Sequence, residues 1–181
     1  MVETPIGGMV FGEPPIPPIA GSPQDLSPGL VTNTNTFYAA QAYRSRTLTP
    51  DADITDGDWT NELDSNVNLY ASIDEAAAND SDYIKSGVNP SADIAKIGLS
   101  NPGSLAMPFL VRYRYKKDIA DVGTMDLTVR LMQGATQIAE WVHGDINDTF
   151  LDAEQALTLG EFNSITDVSD LNVEFEANFT P

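Results

Sequence analysis

Residues 171–179 read LNVEFEANF, and their alternation decides the fold class. Leu171, Val173, Phe175, Ala177 and Phe179 fall on one side, with Asn172, Glu174, Glu176 and Asn178 on the other. A period of two is that of a strand with one face buried and one face wet, whereas a helix would scatter these residues around its whole circumference. The same pattern recurs upstream. VNLYASID (67–74) sets Val67, Leu69, Ala71 and Ile73 against Asn68, Tyr70, Ser72 and Asp74. FLVRYRYKK (109–117) sets Phe109, Val111, Tyr113 and Tyr115 against Leu110, Arg112, Arg114 and Lys116, and DLTVRL (126–131) sets Leu127, Val129 and Leu131 against Asp126, Thr128 and Arg130. Shorter strands are expected in ADITDGDW, DYIKS, AKIGLS, TQIAEWVH and QALTL, separated by SGVNPS, SNPGS and MQGAT, whose Gly, Asn and Pro residues suit tight turns. Short helical turns are expected at IDEAAANDSDY and LGEFNSIT. Strands at this spacing, wet on one side, predict an all-β antiparallel sandwich of jelly-roll type over 48–181.

The N-terminal part has a different texture. Seven of the 12 prolines lie in the first 28 residues, and the run EPPIPPIAGSP favours polyproline II, because proline fixes φ and removes a backbone donor. Residues 1–47 are therefore expected to form an extended arm and a strand-prone bridge, GLVTNTNTFYAAQAYRSRT. The large apolar side chains of the arm, Val2, Ile6, Met9, Val10, Phe11, Ile16 and Ile19, are spaced along it rather than gathered on one face. A stiff apolar arm has little entropy to lose on ordering, which suits it to lie along a partner; a tether packed on its own domain is the plainer alternative.

Composition narrows the function classes. The chain has 181 residues, 41% hydrophobic and 20% charged, with 9 Lys and Arg against 27 Asp and Glu, a net charge of −18. So acidic a chain repels phosphate backbones and anionic lipid, so neither nucleic acid nor a membrane is an expected partner. With 0 cysteines, disulfides, thiolate metal sites and cysteine nucleophiles are absent. No Lys or Arg precedes Arg44 and no long apolar run occurs, so a secretory signal is not expected.

Candidate chemistry is sparse. The single histidine, His143, shares a strand face with Trp141 and reads as a packed or surface residue rather than a catalyst. Asp74 and Glu75 are the carboxylate pair to inspect for glycosidase chemistry, although with 27 acids many pairs approach by chance. Asp51, Asp53, Asp56, Asp58 and Glu62 invite a calcium reading; the register fails, since residue 55 is Thr and the glycine comes one place late, and turn capping explains these acids better. No cofactor is expected. Arg112, Arg114, Lys116 and Lys117 cluster on one strand, either to balance neighbouring acids across strands or to meet an acidic partner or another copy of the chain. Trp59, Tyr70, Tyr83 and Trp141 are the aromatics a glycan would use if they were exposed, although a sandwich tends to bury at least one Trp.

Seven blocks in order, LTPDADITDGDWTN, LYASIDE, DYIKS, VRYRYKK, LTVRLMQG, IAEWVHGDINDTF and SITDVSDLNVEFEAN, resemble a β-sandwich domain encoded among the structural genes of tailed bacteriophages and prophages. The upstream SPGLVTNTNTFYAA resembles a short element that often precedes this domain, and SLAMPFLVRY departs from the family in being more apolar than its polar, often His-containing counterpart. The resemblance spans roughly residues 26–179 and leaves the Pro-rich arm outside. It implies a virion structural protein without enzymatic activity, made in the host cytoplasm, and supplies no catalytic or ligand residues. Together with the arm it leads to the expectation of a capsid decoration or cement protein, trimeric or dimeric, anchored to the major capsid protein or another virion protein. Ile6, Met9, Val10, Phe11, Ile16 and Ile19, together with the four cations of the Arg strand, would form the contact. The alternative is a tail-fibre or receptor-binding module for host glycans, and a neck or tail protein comes third.

Overall fold

The computed structural model describes residues 47–75, 77–105, 107–118 and 123–181. They form an all-β, antiparallel, sandwich-like domain. Its elements in chain order are β1 (Pro50–Thr55), β2 (Thr60–Asn61), β3 (Ile84–Lys85), β4 (Asp93–Leu99), β5 (Leu110–Tyr115), β6 (Thr124–Gln133), β7 (Thr136–His143), β8 (Leu151–Ala156), α1 (Leu159–Ser164) and β9 (Leu171–Thr180). The main sheet has the order β1–β4–β9–β6–β7, while β5–β8 and β2–β3 are separate two-stranded ribbons. All but Thr47 of the expected arm and bridge, including its apolar residues, lies outside the described residues.

The long strands β6 and β9 form the centre of the sheet, in unbroken register from Thr124↔Thr180 to Gln133↔Leu171. Their inward residues make the core: Met125, Leu127, Val129 and Leu131 of β6 with Leu171, Val173 and Ala177 of β9, joined by Ala95 and Ile97 of β4 and by Ile138 and Ala139 of β7. Phe109 and Leu157, at the mouth of the β5–β8 ribbon, close the same cluster together with Trp59, Leu69 and Ile146. The inward faces expected on β6 and β9 are thus borne out, and on β5 Arg112 and Arg114 are exposed between half-buried Val111, Tyr113 and Tyr115.

Two glycines hold turns at positive φ where an added side chain would also meet a close neighbour. Gly57, at φ 56, precedes Trp59, and a Cβ there would lie 2.5 Å from Asp93 Oδ1 and 2.6 Å from the Ile94 carbonyl. Gly134, at φ 55 in the β6–β7 hairpin, donates its N–H to the Asp170 carbonyl at 2.9 Å. A side chain at Gly134 would collide with the Asp170 carboxylate.

The structure corrects three expectations. Residues 67–74 are not a strand: Leu69–Ser72 is a 3-10 turn entered through Asn68 at φ 59. The reason is Asp53, whose carboxylate accepts the Leu69 and Tyr70 N–H groups at 2.9 and 2.8 Å, so these donors are satisfied by a side chain instead of a ladder. The helical turn expected at 73–83 is absent among the described residues, where Asn79 Oδ1 accepts from the Ser81 N–H and hydroxyl and so favours a local turn. The outward face of β9 is not fully wet, since Asn172 is 2% and Glu174 8% exposed.

The other expected helix forms as α1. Thr158 Oγ1 accepts from Glu161 N–H at 3.2 Å and Glu161 Oε2 accepts from Thr158 N–H at 2.7 Å, a reciprocal cap. Gln133 then anchors the following segment, its Oε1 accepting from Thr166 and Asp167 N–H at 2.8 and 2.9 Å. Thr158→Ala removes the cap, and urea unfolding should show a loss of about 1 kcal/mol; a loss near zero would mean that Gln133 alone positions the helix.

Candidate functional site

Strand register assembles a row of charge that alternation alone does not reveal. Lys96 of β4 lies opposite Glu174 of β9, Glu174 opposite Arg130 of β6, and Arg130 opposite Glu140 of β7, so four strands carry alternating signs along one line. Arg130 Nε donates to Glu140 at 2.6 Å, and its Nη1 donates to Glu174 at 2.8 Å and to Glu176 at 2.6 Å. Lys96 Nζ sits 3.1 Å from Glu174. Burial by itself would push the Glu174 carboxyl up, but the hydrogen bonds from Lys96 and Arg130 outweigh it and hold the group below the usual range. Burial likewise opposes the charge on Arg130, and its bonds to Glu140, Glu176 and Glu174 overcome that opposition.

The cations of the Arg strand have partners inside the chain. Arg112 pairs with Glu154 across the β5–β8 ladder at 2.7 Å, and Arg114 binds Asp80 at 2.8 Å and Asp152 at 3.0 Å. Lys116 lies over the Phe150 ring, 4.7 Å from its centroid, with the Arg114 guanidinium at 4.9 Å. Lys117 turns away and donates to the Gly123 carbonyl at 3.1 Å. The cross-strand alternative describes Arg112 and Arg114, and the four residues do not make one patch of uncompensated charge.

Three acids of the run, Asp53, Asp56 and Glu62, are engaged locally through their carboxylates. Asp53 caps the 3-10 turn; Asp56 Oδ2 accepts from Asn66 Nδ2 at 2.8 Å; Glu62 accepts from Ser72 Oγ at 3.2 Å; and Asp58 N–H donates to Asp93 at 3.0 Å. Among the described residues no group of three or more His, Cys, Asp or Glu side chains is placed to hold a metal ion. Asp58 and Asp93 border an open groove of about 760 Å³ whose wall is largely the loop Gly87–Ala92. Asp74 and Glu75 are both exposed. Partial burial and a hydrogen bond with Asp82 raise the Glu75 carboxyl, so the partner of Glu75 in this loop is Asp82.

Of the four aromatics, Trp59 is in the core at 6% exposure, its Nε1–H donating to the Asp93 carbonyl at 3.2 Å. Tyr70 and Trp141 pack against that core, while Tyr83 is exposed. His143 is held between two tyrosines: Tyr113 Oη stands 2.7 Å from Nε2 and Tyr115 Oη 2.9 Å from Nδ1. Burial pushes the Tyr113 phenol up to about 12, against a hydrogen bond from Gln155, with Tyr115 adding to the rise. Alternation places Tyr113 and Tyr115 on one face and His143 beside Trp141 on another, but nothing local to either strand brings β5 to β7. The expected contact residues Ile6, Met9, Val10, Phe11, Ile16 and Ile19 lie outside the described residues. Among those residues no helix is long and apolar enough to cross a membrane. No family model, no curated protein and no solved structure matches this chain, so its function is read from the residues themselves.

Proposed function

We propose that this protein is a non-enzymatic structural component of a tailed-phage virion, and specifically a capsid decoration or cement protein that attaches through its N-terminal arm. The observation that carries the reading is the ordered set of seven sequence blocks resembling phage structural β-sandwiches, which begin at β1 and end in β9 and include neither β4 nor β8. The engagement of its charged side chains supports a structural role: Arg112, Arg114, Arg130 and Lys96 brace strands against one another. The mechanism is added interface. An arm burying roughly 1,000 Å² of apolar surface gains about 25 kcal/mol gross, most of it offset by ordering and association costs. A small net gain per copy, repeated over a closed shell, resists internal pressure. A homodimer or homotrimer seated on the major capsid protein is the expected assembly.

Immunogold labelling of purified virions tests this. Dense label over the whole head is the expected result. Label confined to the tail tip or neck, or none on the particle, overturns the decoration reading. Tail-tip label would make glycan recognition by the loops around Tyr83 the reading to pursue.

A further inference from the structure

The β5–β8 ribbon shares no ladder with the five-stranded sheet. It is held down by apolar packing from Val111, Tyr113 and Tyr115 and by the polar bonds that cross between the layers. Among the described residues, the side-chain hydrogen bonds joining β5 or β8 to that sheet are the two phenol contacts to His143, at 2.7 and 2.9 Å. The rings reinforce the arrangement: the His143 centroid lies 4.4 Å from that of Tyr115, and Tyr113 meets the imidazole edge-on at 5.6 Å. One imidazole on the edge strand β7 thus carries the polar attachment of a whole ribbon.

That attachment depends on the protonation state of the ring. A neutral imidazole has one donor and one acceptor nitrogen, so one tyrosine donates to it and the other accepts from it. In one tautomer the Gln155 amide donates to Tyr113, Tyr113 O–H donates to Nε2 and Nδ1–H donates to Tyr115, so that both ring nitrogens are satisfied. A proton added at Nε2 makes both nitrogens donors, so the half-buried Tyr113 hydroxyl must turn its hydrogen away from the ring and loses the acceptor it had there. Among the described residues, Gln155 of β8, which bonds Tyr113, is uncharged, and Leu127 of β6 lies opposite His143 in the ladder, so neither compensates the new charge.

We propose that Tyr113, His143 and Tyr115 form an acid-released latch, which keeps the β5–β8 ribbon on the sheet while the imidazole is neutral and lets it lift when the ring is protonated. Lifting the ribbon would uncover Phe109, Leu157 and the core face beneath them. The direction agrees with the electrostatics, since burial lowers the His143 affinity for a proton below its ordinary value of 6.5. A ring that binds protons more weakly when latched stabilises the latched state above that pH. The stabilisation falls as the pH drops below it, because the released state then takes up more protons.

Amide hydrogen exchange on the full chain at about pH 7.5 and about pH 5.5, corrected for intrinsic rates, tests the latch in the range where histidine titrates. The expected result is a several-fold loss of protection in β5 and β8 at the lower pH, with β6 and β9 unchanged. His143→Gln should remove that pH dependence, and Tyr113→Phe with Tyr115→Phe should already loosen the ribbon at the higher pH. Glu75, raised by burial and by Asp82, is retained in the His143→Gln chain, so the difference between the two chains isolates the ring. Equal ribbon protection at both pH values, or the same pH dependence in His143→Gln, would overturn the proposal. Should that variant fail to fold, the imidazole resonances of the single histidine decide the matter in the unaltered chain. Loss of ribbon protection that follows the midpoint of that titration supports the latch, and loss at a different pH, or a midpoint at or above 6.5, refutes it.

Discussion

Arg130→Ala should destabilise the domain by about 3 kcal/mol, since removing one partner of a largely desolvated ion network leaves its counter-charges uncompensated. For a domain of this size that corresponds to a fall in melting midpoint on the order of 10 °C. Around the guanidinium stand Glu140, Glu174 and Glu176, with Lys96 as the other cation. The local charge therefore goes from 2 − 3 = −1 to 1 − 3 = −2. The Arg130 and Glu174 side chains are only 18% and 10% exposed, so water screens the change weakly at the centre of the row. The loss should depend on pH. Glu174, held below its ordinary 4.5 in the native state, contributes stability that is present above that value and disappears as the pH falls through its native one. In the variant that contribution shrinks and the carboxylates repel, so the gap between the two proteins should narrow in acid. Arg112→Ala is the matched comparison: its pair with Glu154 is 69% and 55% exposed, and such pairs contribute about 0–1 kcal/mol. Thermal scans of both variants give the answer, and an Arg130→Ala loss no larger than that of Arg112→Ala would show that the row is mere surface charge.

On the decoration role proposed above, deleting residues 1–28 should abolish binding to phage heads while leaving the sandwich folded. The second half of this expectation rests on the fold: the ladders of the five-stranded sheet run from Pro50 to Thr180, and the core from Trp59 to Ala177. The first half rests on the arm, whose prolines lower the entropic cost of ordering and whose Ile6, Val10, Phe11, Ile16 and Ile19 supply apolar area to bury. Co-sedimentation with heads lacking the protein, alongside circular dichroism of the truncated chain, separates the two effects. Full occupancy by a folded truncated chain would refute anchoring by the arm. In that event the sandwich itself would be the binding surface.

Alternation along single strands was enough to place Leu127, Val129 and Leu131 inward on β6, to place Arg112 and Arg114 outward on β5, and to set Leu171, Val173 and Ala177 in the core. The side-chain period of two is local, so these facts are written in consecutive residues. The cap at Thr158 and the turn glycine at 134 are local in the same way. What lay beyond the sequence is whatever depends on which strands become neighbours. Residues 67–74 alternate as well as any strand, yet Asp53, 16 residues before Leu69, folds them into a turn. The row Lys96–Glu174–Arg130–Glu140 exists because β9, the last strand in the chain, inserts between β4 and β6. The clasp of His143 by Tyr113 and Tyr115 exists because the β5–β8 ribbon packs against β7. Hydrophobic periodicity specifies a face and says nothing of the partner that will cover it. Strand order and layer contacts come from the collective burial of all the inward faces at once, and only the tertiary structure decided those.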